Sequence, residues 1–307
     1  MEDRRLTYIL KIAEESSISS AAQKLYISQP SLSQFLQKLE KEIGCPLFDR
    51  STTPLRPTYI GRLYLPTARQ ILTLKEQFRQ QTDDVLNLRR GHLTIGTSPF
   101  RSTHLLAGFL PIFQQQYPGI DITLVENTTM KLETLAQSAE TDLSISLLPT
   151  NTAFFSYVPL FQEELLLVLP PQHPLCAKYR LPNTLQEQLP VIDLGELRDT
   201  PFILMNQEQK LHHQLISLCQ SAGFTPRIQL ETQSMDAAQA LAGAGIGATL
   251  LPDTLIRAVH PEKKPCYAAL AVHPARTAIL IWPKDHYVSH AAKAFIHTLQ
   301  AYFAKNS

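Results

Sequence analysis

The stretch Ser28-Gln29-Pro30-Ser31-Leu32-Ser33-Gln34-Phe35-Leu36-Gln37-Lys38-Leu39-Glu40 decides how the rest of the chain is read. Ser28 is a favoured N-cap, and Pro30 fits a first helical turn, where no intrahelical N–H partner is lost. Beyond it, Leu32, Leu36, Leu39 and Ile43 recur at helical spacing and define one apolar face. Gln29, Ser33 and Gln37 recur every four residues on another face. That face is polar, short-armed and amide-bearing, which suits reading base edges in a major groove. Gln34, Lys38 and Lys41 flank it, where phosphates would lie. A face that is merely solvated would more commonly carry Glu/Lys pairs.

Upstream, apolar residues between Leu6 and Ala13 again fall at helical spacing. Ile18 to Leu25 makes a second short helix, with Ser19 or Ser17 available as its cap. Its Ala21 and Ala22 are small enough to let another helix approach closely. Downstream of Gly44-Cys45-Pro46, the segment from Leu47 through Pro57 reads as a small hairpin anchored by Leu47 and Phe48. Its tip would expose Arg50 and Arg56, suited to a minor groove or to phosphates. Thr58 then caps a long helix with apolar residues at 60, 64, 68, 71, 78 and 85. A helix from 58 to 89 would span roughly 47 Å, bent near its start by Pro66. One apolar stripe of that length needs a partner, and a second subunit is the natural one.

Composition fits this head. The 307 residues exceed one ordinary domain, and 44% hydrophobic with 18% charged residues excludes disordered and fibrous classes. The net charge of +1 divides unevenly: residues 1–90 carry 14 Lys+Arg against 10 Asp+Glu, leaving residues 91–307 mildly acidic. No run of about 18 apolar residues and no signal peptide is visible, so no membrane partner and a cytoplasmic location are expected. Cys45, Cys176, Cys219 and Cys266 are scattered without a CxxC, which favours reduced packing thiols over a zinc site or disulfide framework.

From Gly91 the pattern changes. Gly91-His92-Leu93-Thr94-Ile95-Gly96-Thr97-Ser98 reads as a strand running into a loop. A helix (104–117), strand (120–126), helix (129–138) and strand (142–147) follow, the alternation of a parallel α/β sheet. Ligands bind outside the carboxyl ends of such strands, which directs attention to Thr97, Ser98, Thr128 and Thr129. Leu160 to Leu169 is another strand; helices near 207–222 and 234–243 and strands near 228–230 and 246–251 fill a second unit. From Cys266 to Trp282 the chain returns to the first unit and ends in a helix capped by Ser289.

The ungapped run Ala21-Ala22, Leu25, Ser28 to Ser33, Leu39-Glu40 and Gly44 to Arg50, continued by Pro57-Thr58-Tyr59-Ile60-Gly61, closely resembles the winged helix-turn-helix of LysR-type transcriptional regulators. The resemblance implies base contacts for Gln29, Pro30 and Ser33, and a minor-groove or backbone contact for Arg50. Together with the helix reading, the expected DNA-facing set is Ser28, Gln29, Pro30, Ser31, Ser33, Gln34, Gln37, Lys38, Arg50 and Arg56. Many family members place Arg where this chain has Gln34, which weakens a phosphate contact there. The body resembles the family's effector domain through Asp142-Leu143-Ser144-Ile145, Val158-Pro159-Leu160, Glu164 to Val168, His173-Pro174-Leu175 and Gly245 to Pro252. That domain is similar to periplasmic solute-binding proteins, with two α/β lobes joined by crossover strands.

The implied organisation is a winged helix-turn-helix over 1–58, a dimerisation helix over 59–90 and an effector domain over 91–307. Lobe I would comprise 91–161 and 268–307, and lobe II 162–267. The resemblance places an effector between the lobes, with Thr97, Ser98, Phe100, Thr129, Phe202, Asn206, Ser234 and Gly247 as the expected wall. Hydroxyls and free backbone N–H groups there suit a small anion or carboxylate. The expected partners are double-stranded DNA, that small-molecule effector, and further copies of the chain as a homodimer or homotetramer.

Other signals point elsewhere. Gly243, Gly245 and Gly247 follow a helix and lead into a strand, the reverse of a dinucleotide fingerprint. His212-His213 and His286/His290 lack neighbouring ligands at metal spacing, so neither metal nor cofactor is expected. The peroxide-sensing branch of the family uses two cysteines set much closer than Cys176 and Cys219. The competing function is a cytoplasmic solute binder or enzyme whose head serves assembly. Against it, the sequence holds no nucleophile elbow, P-loop, metal cluster or carboxylate pair at a strand end.

Overall fold

A computed structural model describes residues 2–85, 91–185 and 188–306. The chain divides into two compact units, Met1–Asn87 and Leu88–Ser307.

The first unit contains α1 (Glu2–Glu15), α2 (Ile18–Lys24), α3 (Gln29–Ile43), β1 (Phe48–Asp49), β2 (Arg56–Pro57) and α4 (Tyr59–Val85). Ile9, Ile12, Leu32, Leu36, Leu47 and Phe48 form one core, closed by Ala21 and Ala22. Both alanines are buried among these side chains, and their small size lets α2 pack closely against its neighbours. Ser17, rather than Ser19, caps α2 by accepting from the Ser20 N–H at 3.3 Å. Gly44 ends α3 at φ +86°, a conformation that a Cβ would strain. β1 and β2 pair antiparallel, Phe48 with Pro57 and Asp49 with Arg56, forming the expected hairpin. Thr58 Oγ1 accepts from the Gly61 N–H at 3.0 Å and opens α4. This helix has 27 residues, about 40 Å at the usual rise, and runs on through Pro66. The expected extension over 86–89 lies outside the described residues.

The second unit is α/β. Strands β3 (Gly91–Thr97), β4 (Ile120–Glu126) and β5 (Leu143–Leu147) are parallel. Between β3 and β4 lie α5 (Pro99–Arg101), a π-helical turn (Ser102–Leu106) and α6 (Ala107–Gln116). The helix α7 (Thr129–Gln137) connects β4 to β5. The long strand β6 (Phe155–Leu169) is followed by α8 (Pro174–Tyr179), β7 (Val191–Ile192), β8 (Pro201–Met205), α9 (Lys210–Ser221) and β9 (Arg227–Thr232). Then come α10 (Met235–Gly243), β10 (Thr249–Pro252), α11 (Asp253–Ala258), β11 (Cys266–Leu270), β12 (Ala275–Pro283) and α12 (His290–Asn306). Ser289 caps α12 by accepting from the Ala292 N–H at 3.1 Å.

The main sheet runs β4-β3-β5-β12-β6-β11-β7, with β10 also on β6. β6 changes partners along its length. Residues Phe155 to Glu164 pair with β12, and Leu165 to Leu169 pair with β10 and β11. Two lobes therefore share one strand. Lobe I packs Leu93, Ile95, Phe109, Phe113 and Phe295 into its core, and lobe II packs Leu167, Phe202, Leu215 and Leu250 into one of its two clusters. The exchange falls at 164/165 on the way out and between 270 and 275 on the way back. Both points lie three or more residues beyond the sequence boundaries of 161/162 and 267/268, because β6 pairs with β12 as far as Glu164 and β11 pairs with β7 as far as Leu270. Among the described residues, no helix is long and apolar enough to cross a membrane.

Candidate functional site

The capped face of α3 is built locally. Ser28 holds φ −73°, ψ 141°, and its Oγ accepts from the Ser31 N–H at 3.3 Å. Its hydroxyl also meets Ser31 Oγ at 2.7 Å. Leu32, Leu36 and Leu39 are buried, which fixes the rotation of the helix. Gln29, Pro30, Ser31, Gln34, Gln37 and Lys38 are consequently exposed, with Ser28, and Ser33 is half-buried. All eight of these expected helix residues thus lie at or beside the solvent face. Tyr26, which sequence reasoning passed over, stands 96% exposed two residues before the cap, on a left-handed backbone of φ 55°. Its signal is an aromatic beside a turn, with no apolar periodicity to account for it.

On the wing, Arg50 and Arg56 are both exposed, but their circumstances differ. Arg50 Nη2 donates to Glu40 Oε2 at 2.9 Å. Glu40 Oε1 also accepts from the backbone N–H groups of Leu47 and Phe48, at 2.8 and 3.3 Å. One carboxylate on α3 therefore sets the position of the wing and of its first arginine. Arg56 makes no ion pair among the described residues, and it shares a shallow hollow with Arg50 and Arg62.

Within the second unit, a cavity of about 400 Å³ lies between the lobes. Of the eight residues named from the sequence, Ser98, Phe100, Thr129 and Ser234 line it. Ser98 caps α5 and Ser234 caps α10, each hydroxyl accepting a backbone N–H at 3.3 and 3.2 Å. Thr128, also in the lining, caps α7. Phe100 packs onto the hydrophobic cluster of lobe II. The other four expected residues lie outside the lining. Thr97 is buried inside β3, and Phe202 is fully buried in lobe II between Phe224 and its sheet neighbours. Gly247 is buried where a Cβ would come 2.6 Å from the Pro201 carbonyl, so close packing accounts for it. Asn206 is held at the end of β8, its backbone N–H donating to the Thr232 carbonyl at 3.0 Å.

Charged groups that sequence reasoning missed surround the same cavity. Lys210 Nζ, from lobe II, donates to Glu133 Oε1 at 2.6 Å and to the carbonyls of Leu147 and Pro149, both at 2.8 Å, in lobe I. His104 and Asp236 face each other across the cleft at 3.6 Å. At its floor are Arg101 and Arg276, bonded to Glu163. Burial penalises the Glu163 carboxylate, yet Arg276 and Arg101 prevail and hold its pKa below the ordinary carboxylate value. Burial pulls Arg101 below its usual value, with Glu163 opposing. Glu163 carried a readable signal, since it interrupts the apolar part of a long strand. Its partners did not.

The remaining titratable candidates are structural. His212 and His213 donate to the carbonyls of Met205 and Gln207 at 2.7 and 2.8 Å. Cys176, Cys219 and Cys266 share one core cluster, and all four cysteines are free. Burial pushes the Cys176 thiol up to about 12 and the Cys219 thiol up to about 11, so neither supplies the thiolate that oxidation chemistry needs.

Comparison with known proteins agrees with these two units. Residues 4–62 match the model of the bacterial regulatory helix-turn-helix protein, lysR family, and residues 87–304 match the LysR substrate binding domain. The chain is 32% identical to the HTH-type transcriptional regulator YwbI of Bacillus subtilis, over 98% of this chain and 97% of the relative. It is 28% identical to the transcriptional dual regulator GltC of Bacillus subtilis, over 99% and 98%. Full-length CbnR, solved with its target DNA, has the same fold at a TM-score of 0.68 and 22% identity, over 98% of this chain and 99% of that one. With both family models matched in order along nearly its full length, this chain belongs to the LysR family of transcriptional regulators.

Proposed function

We propose that this regulator acts in the cytoplasm as a homo-oligomer, reads an inverted-repeat DNA site through paired α3 helices, and responds to a small molecule held between lobes I and II. The observation that carries this reading is the α3 face, where a buried leucine row turns Gln29, Gln34 and Gln37 outward from a capped first turn. Amides presented that way match the donor–acceptor pairs of base edges, while Lys38, Arg50 and Arg56 supply phosphate contacts. The exposed residues Leu63, Ile71, Leu74 and Phe78 along α4 support assembly, because a stripe of that size seeks cover. CbnR was solved with its target DNA, which supports the same use of this fold.

The test is a fluorescence-anisotropy titration of the chain against DNA from upstream of its own gene and a shuffled duplex, at several salt concentrations. Affinity for both should fall steeply with salt. Gln29→Ala should cost about 1–3 kcal/mol on the upstream site and little on the shuffled one. Equal losses on both duplexes would remove Gln29 from the base-reading set, and salt-insensitive binding would defeat the DNA assignment.

A further inference from the structure

The turn that joins α2 to α3 is closed in a way that favours glycine, and it holds a tyrosine. The Tyr26 N–H donates to the Gln23 carbonyl at 3.2 Å, and the Ile27 N–H donates to the Ala22 carbonyl at 3.0 Å. These two bonds end α2 as a Schellman motif, which puts Tyr26, the first residue past the cap, in the left-handed region. Its φ is accordingly 55°. Glycine takes that conformation at no steric cost, whereas a Cβ there crowds the following carbonyl.

Among the described residues, nothing in the head accounts for the ring. Leu25 and Ile27, on either side of it, pack against the head core, and Tyr26 does not. It stands 96% exposed, and its hydroxyl has no hydrogen-bond partner among the described residues. A phenol so placed on a strained backbone stabilises nothing in the free protein, and strain of this kind collects where a binding surface is built. Such a surface adjoins it: Ser28, Gln29, Pro30 and Ser31, all exposed, begin two residues later. From Ser16 to Leu39 the chain carries no Asp or Glu, while Lys24 and Lys38 are both exposed. A polyanion therefore meets no repulsion from within this segment.

We infer that Tyr26 is a DNA-backbone contact, its hydroxyl donating to a phosphate oxygen at the edge of the groove that α3 enters and its ring lying against the adjoining deoxyribose. This inference rests on α3 being the DNA-reading helix. Tyr26 stands outside that helix, before the Ser28 cap, so it meets the strand at the groove edge while Gln29 and its successors face the bases. Tyrosine suits the place, because its body is apolar, its tip is polar and only two χ angles must be fixed. A phosphate bonded by a neutral hydroxyl adds affinity for any duplex and releases no counter-ion. Tyr26 is thus assigned to affinity and to the seating of the head, not to sequence choice.

The test is the anisotropy titration of the full chain on the upstream and shuffled duplexes, repeated with Tyr26→Phe and Tyr26→Gly, with a far-UV melt of each variant. Tyr26→Phe keeps the ring and the backbone strain and loses only the hydroxyl. It should weaken binding to both duplexes by about fivefold. Tyr26→Gly loses the ring as well and should weaken both by about tenfold or more. In both variants the slope of log affinity against log salt should stay that of the wild type, whereas loss of a cationic phosphate contact would reduce it by about one. Tyr26→Gly should also leave the helix-signal midpoint unchanged or raise it by up to about 8 °C, because the left-handed backbone is relieved. Affinities within about twofold of the wild type for both variants would overturn the inference. Loss on the upstream duplex alone would make Tyr26 a base reader and overturn the backbone assignment. A Tyr26→Gly midpoint lowered by more than about 4 °C would make the ring structural and overturn it equally. If Gln29→Ala still separates the two duplexes, these results strike Tyr26 alone. Equal losses from Gln29→Ala on both duplexes strike the α3 reading and, with it, the placement of Tyr26.

Discussion

Replacing Glu40 by Ala should unfold the head early while leaving the rest of the protein undisturbed. Its carboxylate, with a side chain only 11% exposed, accepts from the Leu47 and Phe48 N–H groups and from Arg50. Leu47 and Phe48 are themselves 1% and 2% exposed, so their N–H groups have little water to turn to. An unsatisfied buried donor costs about 1–3 kcal/mol. The bond from Phe48 is long, and the space vacated by the carboxylate admits some water, so about 2–3 kcal/mol is the sum expected for the pair. Arg50 is 41% exposed and adds less than about 1 kcal/mol. For a unit of this size the loss lowers the midpoint by roughly 8–24 °C. Far-UV circular dichroism of the full chain follows the helix-rich head. The single tryptophan, Trp282, packs against the lobe I core and reports on the second unit alone. The helix signal should therefore show an early step while Trp282 emission keeps its midpoint. Glu40→Gln, whose amide oxygen still accepts an N–H, should lose about half as much. A shift below about 4 °C for Glu40→Ala, or an equal shift at Trp282, would refute the reasoning.

Three further outcomes follow from the geometry. Leu74→Glu together with Phe78→Glu should reduce the assembly by at least one step of stoichiometry in light scattering, because both side chains are exposed on α4; an unchanged mass would assign assembly to another surface. Lys210→Met leaves Glu133 and two carbonyls without their shared donor, and should destabilise the Trp282-reported transition by about 1–3 kcal/mol in urea. Glu163 has a folded pKa below its unfolded value of about 4.3, so its contribution is fully present above that pH and is lost as pH falls through the depressed value. Acid unfolding of the second unit should accordingly steepen below about pH 4.3, and Glu163→Gln should flatten that limb.

The head was the more legible half because its signals are contiguous. The cap at Ser28, the proline after it and the leucine row all lie within one helix, so periodicity alone fixed which face turns outward. What the pattern could not reveal was that Arg50 is tethered, since its partner Glu40 sits ten residues back on another element. In the cleft, Ser98, Phe100, Thr129 and Ser234 were accessible to reading because each stands where a strand gives way to a helix. Phe202 and Gly247 have no such place: Phe202 lies within β8, which is buried on both faces, and Gly247 leads from a helix into a strand and is needed for backbone contact with Pro201. The floor of the cleft was invisible for a different reason. Arg101 and Arg276 reach Glu163 across 62 and 113 residues of sequence; strand register brings Arg276 to it, and the turn of α5 after β3 brings Arg101.

The shared strand also dictates an order of assembly on the ribosome. β12 is the inner strand between β5 and β6, yet it is made after the whole of lobe II. About 110 residues separate its start from the point where β6 leaves lobe I, roughly 5–20 s of synthesis. During that interval lobe II, contiguous from Leu165 to Leu270, can close on itself. Lobe I meanwhile holds β5, all five of its residues destined for burial, with an open edge awaiting its neighbour. The N-proximal half of the effector domain is thus the last to be completed, and nascent chains stalled before Ala275 should be the ones most prone to aggregate.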